Sequence, residues 1–226
     1  MSLIPLILGI GQSLDAESGE ASKSKSPVSS VKPEKILERD NHCCRFCGFC
    51  SKKYQRVIKH EKEDVTICSF CEQVSHLERA AFMGSAILIW LPEISQIQLN
   101  HIARAAYIAL SSDDVEMKAL AFRVVESLKS RRTEAKRRIG TDDPMLLYTI
   151  LQEGFQGQYK NEIASKLEGI RLFPLDQYVV KAGGKEINAF PKMVEYWKSA
   201  EGPFAKLPVG EWVEMFKKVR EHSPAK

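Results

Sequence analysis

The sequence predicts a mixed α+β protein in which a small metal-stapled ββ-hairpin module precedes a predominantly helical lobe. Three observations on these 226 residues carry that prediction. Two Cys-x-x-Cys pairs, Cys44/Cys47 and Cys68/Cys71, are joined by a stretch long enough to fold back on itself and return the second pair to the first. Between them, two short strand-like runs flank a charged turn. From Ser95 onward, apolar residues recur at helical spacing behind recognisable caps.

Residues 1–33 are an N-terminal segment. Ser2 to Ile10 is either a strand or without order, and residues 11–33, rich in Ser, Glu, Lys and Ala with Pro27 and Pro33, read as a largely disordered linker or arm. The metal module is assigned to residues 34–92. It opens with a short helical approach, Glu34 to Asp40. Tyr54 to His60 and Val65 to Ile67 are its hairpin strands, with Glu61-Lys62-Glu63-Asp64 as the turn. Ser85 to Leu91 follows as a buried strand, stopped by Pro92.

The helical lobe is assigned to residues 93–174. Ser95 and Gln98 form a capping box, and Ile94 is placed to staple against Leu99. Leu99, Ile102, Ala103, Ala106, Tyr107 and Leu110 then share one face. A second helix opens at Asp113, presents Val115, Ala119, Phe122 and Val125, and extends to Arg138 before Gly140 ends it. A third begins at Asp143-Pro144, a cap followed by a first-turn proline, and ends near Gly154. A fourth covers about Gln158 to Glu168. Residues 175–226 are a C-terminal extension with short helices at Met193 to Ala200 and Gly210 to Glu221, divided by Gly202-Pro203 and Pro208.

Four thiolates from two tight turns suit one structural Zn²⁺ in a closed tetrahedron, which braces a fold and leaves no position for water. Cys44, Cys47, Cys68 and Cys71 are the expected ligands. Cys47-x-x-Cys50 is formally a rival pair. The first is preferred because Gly48 follows it directly, and glycine takes without cost the positive φ that aims an N–H at a sulfur. Cys43 and Cys50 are then expected to be buried or spare thiols. Disulfide pairing of some or all six cysteines competes with this reading, but the spacing is unlike that of a dense secreted scaffold.

The apolar and charged fractions, 44% and 27%, are those of an ordinary soluble protein, and a net charge of +4 does not by itself imply nucleic acid. The longest apolar runs, Leu3 to Ile10 and Ala86 to Leu91, fall far short of the ~20 residues that span a bilayer. No basic residue precedes the first run, so a signal peptide is not expected, and reduced zinc thiolates point to the cytosol.

Ile36-Leu37-Glu38-Arg39-Asp40-Asn41-His42-Cys43-Cys44-Arg45-Phe46-Cys47-Gly48 resembles the opening of an HNH-type nuclease zinc module. Active members carry an Asp-His pair on the hairpin, the His as general base and the Asp helping to hold a catalytic ion. Here His60 follows Lys59 rather than an acid and stands close before Cys68. Glu72 and Gln73 occupy positions where an active relative offers Asn or His, and His76 lies a helical turn too far along. No catalytic residue is therefore expected. A wider set of residues resembles the IcmJ/DotN family, components of the Dot/Icm type IVB secretion system built on a degenerate HNH-like zinc fold. The set comprises Cys44-Arg45-Phe46-Cys47-Gly48-Phe49, Cys68-Ser69-Phe70-Cys71-Glu72-Gln73, Leu88-Ile89-Trp90-Leu91-Pro92-Glu93-Ile94-Ser95-Gln96, Leu99-Asn100, Asp142-Asp143-Pro144 and Ile170-Arg171-Leu172-Phe173-Pro174.

This resemblance, over roughly residues 34–200, implies a cytoplasmic, non-enzymatic adaptor held at the inner membrane by the coupling complex. Its implied partners are the C-terminal extension of the coupling ATPase and associated secretion adaptors. The alternatives are an HNH-type endonuclease or a zinc-dependent nucleic-acid-binding protein. For the latter the candidate is the basic run Lys129, Arg131, Arg132, Lys136, Arg137 and Arg138. That run also ends a predicted helix, where cations complement the dipole. Glu134 interrupts it and no aromatic residues interleave it, so nucleic acid is not the expected partner.

Overall fold

The structure, a computed structural model, describes residues 3–9, 32–154, 167–182 and 184–206. The linker over residues 10–31, the helix expected at Gly210 to Glu221 and nearly all of the one expected at Gln158 to Glu168 lie outside the described residues. What is described is mixed α and β, with short antiparallel sheets and helices packed around two cores.

Helix α1 (Pro33–Arg39) starts on a proline and ends where Asn41 and His42 take positive φ, turning the chain into the first cysteine pair. Strands β1 (Gln55–His60) and β2 (Glu63–Cys68) pair antiparallel, with His60 opposite Glu63. The turn is therefore only Glu61-Lys62, with Glu61 at φ 53°. Cross-strand pairing draws in Glu63 and Asp64, whose charges suggested turn. Helices α2 (Ser69–Ser75) and α3 (Leu77–Met83) follow without a gap, and Gly84 closes the second in the left-handed conformation.

Strand β3 (Ala86–Trp90) is the buried strand expected from the sequence, and it pairs with β4 (Ile170–Pro174), Leu88 facing Leu172. This sheet divides the interior. Ile87, Ile89 and Phe173 enter one core; Ala86, Leu88, Ile170 and Leu172 enter the other. Burial on both faces explains a continuous apolar run in place of alternation. A further hairpin, β5 (Val179–Ala182) and β6 (Lys185–Asn188), leads into α8 (Phe190–Lys198). Strands β4 to β6 are too short to show a period in the sequence.

Helix α4 (Gln96–Leu110) carries the expected capping box, with the Gln98 N–H donating to Ser95 Oγ and the Ser95 N–H to Gln98 Oε1. Leu99, Ala103, Ala106 and Tyr107 are buried as expected, whereas Ile102 is 40% exposed. The second expected helix needs three corrections. Its cap is Asp114, not Asp113, and it breaks at Arg131 into α5 (Val115–Ser130) and α6 (Arg132–Ile139). Val115 and Phe122, read as a buried face, are exposed; Ala121 and Val125 are the buried positions. At the break the Arg131 carbonyl accepts from both the Trp90 N–H and the Ala135 N–H at 3.3 Å, and α6 sets Ala135 fully buried in the second core. Helix α7 (Pro144–Gly154) begins at the expected proline, with Asp143 Oδ1 accepting from the Met145 N–H.

Residues 3–9, expected as either a strand or without order, lie extended against the fold. The Ile4 N–H donates to the Arg45 carbonyl at 2.8 Å, and Gly9 exchanges backbone bonds with Val74 and Leu77. Ile4, Leu6 and Leu8 pack against the cores, whereas Leu3 and Ile7 face outward. The alternation is that of a strand, though no ladder forms.

Asp40 ties α1 to the hairpin. Its fully buried carboxylate accepts from Arg39 Nε at 2.9 Å and Nη2 at 3.1 Å, and from the Thr66 N–H at 2.9 Å. The Thr66 carbonyl accepts from the Arg45 N–H, so both outward backbone groups of mid-β2 are satisfied. Burial pushes the Asp40 carboxyl up, but the Arg39 guanidinium and the Thr66 donors outweigh it and hold the carboxyl below its ordinary range. A lowered folded pKa means that this stabilisation is complete above the unfolded value and is lost as pH falls through the folded one. Asp40→Asn is expected to cost about 1–3 kcal/mol at neutral pH. It should also flatten the acid limb of the stability–pH curve, checked by urea unfolding between neutral and acid pH.

Candidate metal centre

The structure brings together Cys44, Cys47, Cys68 and Cys71. All four are buried, and their sulfurs lie within 4.8 Å of one another. Local chemistry explains why each sits there. Cys44 and Cys47 flank a tight turn in which the Gly48 N–H donates to the Cys44 carbonyl at 2.9 Å. Gly48 takes φ 73°, the conformation for which glycine was singled out, although its N–H serves this carbonyl. Cys68 is the last residue of β2, and Cys71 lies in the first turn of α2. The hairpin thus delivers the second pair to the first.

Cys43 and Cys50 are not spare thiols: they form a disulfide across an isolated antiparallel bridge, their Cα atoms 3.8 Å apart. The Cys44 N–H donates to the Phe49 carbonyl and the Ser51 N–H to the His42 carbonyl, so the turn that presents Cys44 and Cys47 also sets Cys43 opposite Cys50. The sequence spacing held no sign of this pairing.

Around the quartet, α4 contributes residues that sequence reasoning missed. Arg104 is 1% exposed, and its Nη2 donates to Cys68 Sγ at 3.5 Å. Asn100 Nδ2 donates to Cys71 Sγ at 3.5 Å. Gln96 bridges Asn100 to the backbone of Leu172, both accepting from and donating to that residue. Residues 96, 100 and 104 form a polar stripe at four-residue spacing along a buried face, which in sequence looks like the solvated side of an amphipathic helix. The Arg104 guanidinium lies 3.7 Å from the Phe49 ring centroid, 5.0 Å from Phe70 and 5.6 Å from Trp197. Its Nη1 meets His101 Nδ1 at 3.4 Å, and His101 Nε2 contacts the Cys47 carbonyl at 2.9 Å.

Among the described residues no carboxylate pairs with Arg104, and the group its Nη2 meets is the Cys68 sulfur. A buried cation costs several kcal/mol unless an anion meets it. Burial pushes Cys68 up, but sulfur contacts from Cys44, Cys47 and Cys71, with the Arg104 charge, hold it well below the thiol range. Contacts with Cys44 and its neighbours push Cys47 and Cys71 up. The Arg104 charge thus favours a thiolate at Cys68, and the donor set of four buried sulfurs fits a tetrahedral thiophilic ion.

The histidines considered for catalysis lie elsewhere. The His60 ring packs edge-on against Phe46 at 5.3 Å, and His76 Nδ1 contacts Ser75 Oγ at 2.9 Å. Glu72, which stands near an active relative's metal-ligand position, is 2% exposed and ion-paired with Arg79 and, at 3.6 Å, Arg56. The basic run is largely neutralised. Lys129 pairs with Glu126, Arg131 with Glu93, Arg132 with Asp142, and both Arg137 and Arg138 with Glu134. Arg138 also lies over the Trp90 ring at 3.8 Å.

No family model matches the chain. Among curated proteins, the Type 4 apparatus protein DotN of Legionella pneumophila (strain Philadelphia 1) is 32% identical over 154 residues, spanning 62% of this chain and 71% of that protein. Identity at that level over that much of a relative reflects common descent: the chain belongs to the IcmJ/DotN family.

Proposed function

We propose that the protein is a non-enzymatic adaptor subunit of a bacterial type IVB secretion coupling complex. In this reading it docks on the C-terminal extension of the coupling ATPase, beside other secretion adaptors, through a scaffold braced by one structural Zn²⁺ on Cys44, Cys47, Cys68 and Cys71. The secretion role is supported by the relative's name as a type 4 apparatus protein. The inert scaffold is supported by one observation above the rest. Four buried sulfurs surround one point, and neither His60 nor His76 is directed to it with an acid beside it. Four thiolates fill the zinc sphere, so the ion would stabilise the chain without activating water. Residues 34–92 are the zinc module in this reading, 93–174 the helical lobe, and 175–226 an extension whose α8 seals the quartet with Trp197. The four thiols fit a cytoplasmic location at the inner-membrane complex, the Cys43–Cys50 disulfide weighs against it, and no described helix is long and apolar enough to cross a membrane. Ion pairing of the basic run weighs against the nucleic-acid alternative.

Elemental analysis should find one zinc per chain. Cys44→Ser or Cys68→Ser should lose it, whereas Cys50→Ser, which only opens the neighbouring disulfide, should keep it. Zinc in small modules contributes on the order of 10–16 kcal/mol, so chelation should unfold the region around the hairpin, read by hydrogen exchange.

Replacing Arg104 separates an anionic quartet from four neutral thiols. Arg104→Met should weaken zinc retention against a competing chelator by about 10–100-fold, with partial recovery in Arg104→Lys. If the sulfurs were neutral, removing the buried cation would raise stability instead.

Docking is tested by co-purification with the coupling ATPase extension of the source organism; failure to bind while zinc is retained would sink the adaptor reading. Plasmid DNA should remain intact with Mg²⁺, Mn²⁺ or Ni²⁺. Nicking that His60→Ala abolishes would restore the nuclease alternative.

A further inference from the structure

The backbone hydrogen bonds of β1 to β4 leave one edge unpaired among the described residues. Counting from the two-residue turn, the β1–β2 ladder bonds fall at His60, Ile58 and Arg56, so Val57 and Lys59 point their backbone groups away from β2. The far edge of β2 confirms this parity. Thr66, opposite Val57, bonds outward to Asp40 and Arg45, and the Asp64 carbonyl, opposite Lys59, accepts from Arg39. On β3, the outward N–H groups of Leu88 and Trp90 donate to the carbonyls of Asp142 and Arg131. On β4, the Gln96 amide pairs with both backbone groups of Leu172. No described residue does the same for Val57 and Lys59.

A groove of about 360 Å³ is lined by residues 55–58 of this strand, Val57 among them. Pro33 and Leu37 of α1 form an apolar wall, and Arg56, Arg79 and buried Glu72 supply the polar floor. Basic residues predominate along β1 itself, although Asp64 stands opposite Lys59 on the inner strand. Lys52, Lys53, Arg56 and Lys59 lie within residues 51–60, which contain no acid, and Glu72 is already held between Arg56 and Arg79.

We infer that the outer edge of β1 is the protein's peptide-docking site, and that it takes an extended, acidic segment of a partner protein as an added strand. The partner's backbone would pair with Val57 and Lys59, its alternate acidic side chains would meet the basic residues, and small apolar ones would reach Pro33 and Leu37. This deepens the adaptor reading and rests on it for the partner's identity, not for the site's chemistry.

The test reads amide hydrogen exchange on the full zinc-bound chain, alone and with an eight-residue peptide of alternating Glu and Val. A Lys/Val peptide is the charge control. In the free chain Val57 and Lys59 should exchange fast while Ile58 is protected. The acidic peptide should slow both by about tenfold or more, and the basic peptide should not. Val57→Pro removes a donor that no described residue uses, so zinc content should hold while the effect disappears. Lys59→Glu, which leaves the backbone alone, should reverse the preference between the two peptides. Protection of Val57 and Lys59 in the free chain would mean that the chain covers its own edge, and the inference falls. It falls also if the acidic peptide protects another region, or if the ATPase extension binds and leaves these two amides unchanged. Protection by the acidic peptide with no binding of the extension would uphold the groove and remove the ATPase from the reading.

Discussion

Four sulfurs from two turns that are remote in sequence meet in the larger core, and the buried guanidinium of Arg104 donates to one of them, Cys68. Much of the fold is arranged around that pairing. A guanidinium at 1% exposure with no carboxylate partner would be costly against neutral thiols; against thiolates it is a charge-assisted donor in a low-dielectric setting. The surrounding rings of Phe49, Phe70 and Trp197 then serve two purposes. They exclude water, which strengthens the attraction, and they present their negative faces to the cation.

From this centre, order spreads along α4. Asn100 touches Cys71, Gln96 holds Asn100, and Gln96 also closes the outer edge of β4. Tyr107, further along the helix, donates to the Pro174 carbonyl at the end of that strand. One helix thus connects the sulfur quartet to the sheet that divides the two cores. Residues 3–9 add a second connection, because their alternating apolar side chains contact both cores. Zinc-type bracing and ordinary hydrophobic packing are therefore coupled here. A protein of this length can bury most of its apolar surface, and a metal held by the four sulfurs would add to the stability of the region nearest the hairpin.

The same geometry makes the site a poor place for chemistry. Its sulfurs are buried, the nearby His101 serves a backbone carbonyl, and Glu72 is committed to two arginines. Side chains and loops bond to outward backbone groups of β2, β3 and β4, whereas among the described residues none does so for Val57 and Lys59 of β1.

The amino-acid sequence by itself determined the features whose partners lie close along the chain. Each Cys-x-x-Cys pair, the Gly48 turn, the Ser95–Gln98 capping box, the Asp143-Pro144 helix start and the Gly140 stop are all local, since the groups that satisfy one another are a few residues apart. Tertiary structure alone decided the rest. The stripe of Gln96, Asn100 and Arg104 reads as a solvated face until the sulfurs and β4 come against it. Cys43 and Cys50 look like bystanders until a turn sets them on opposite sides of one bridge. Val115 and Phe122 carry a helical period yet point outward, because the neighbour that fixes which face is inside is α4, a separate helix. Burial of a polar group and the pairing of a strand depend on what arrives from elsewhere in the chain, and local periodicity carries no record of it.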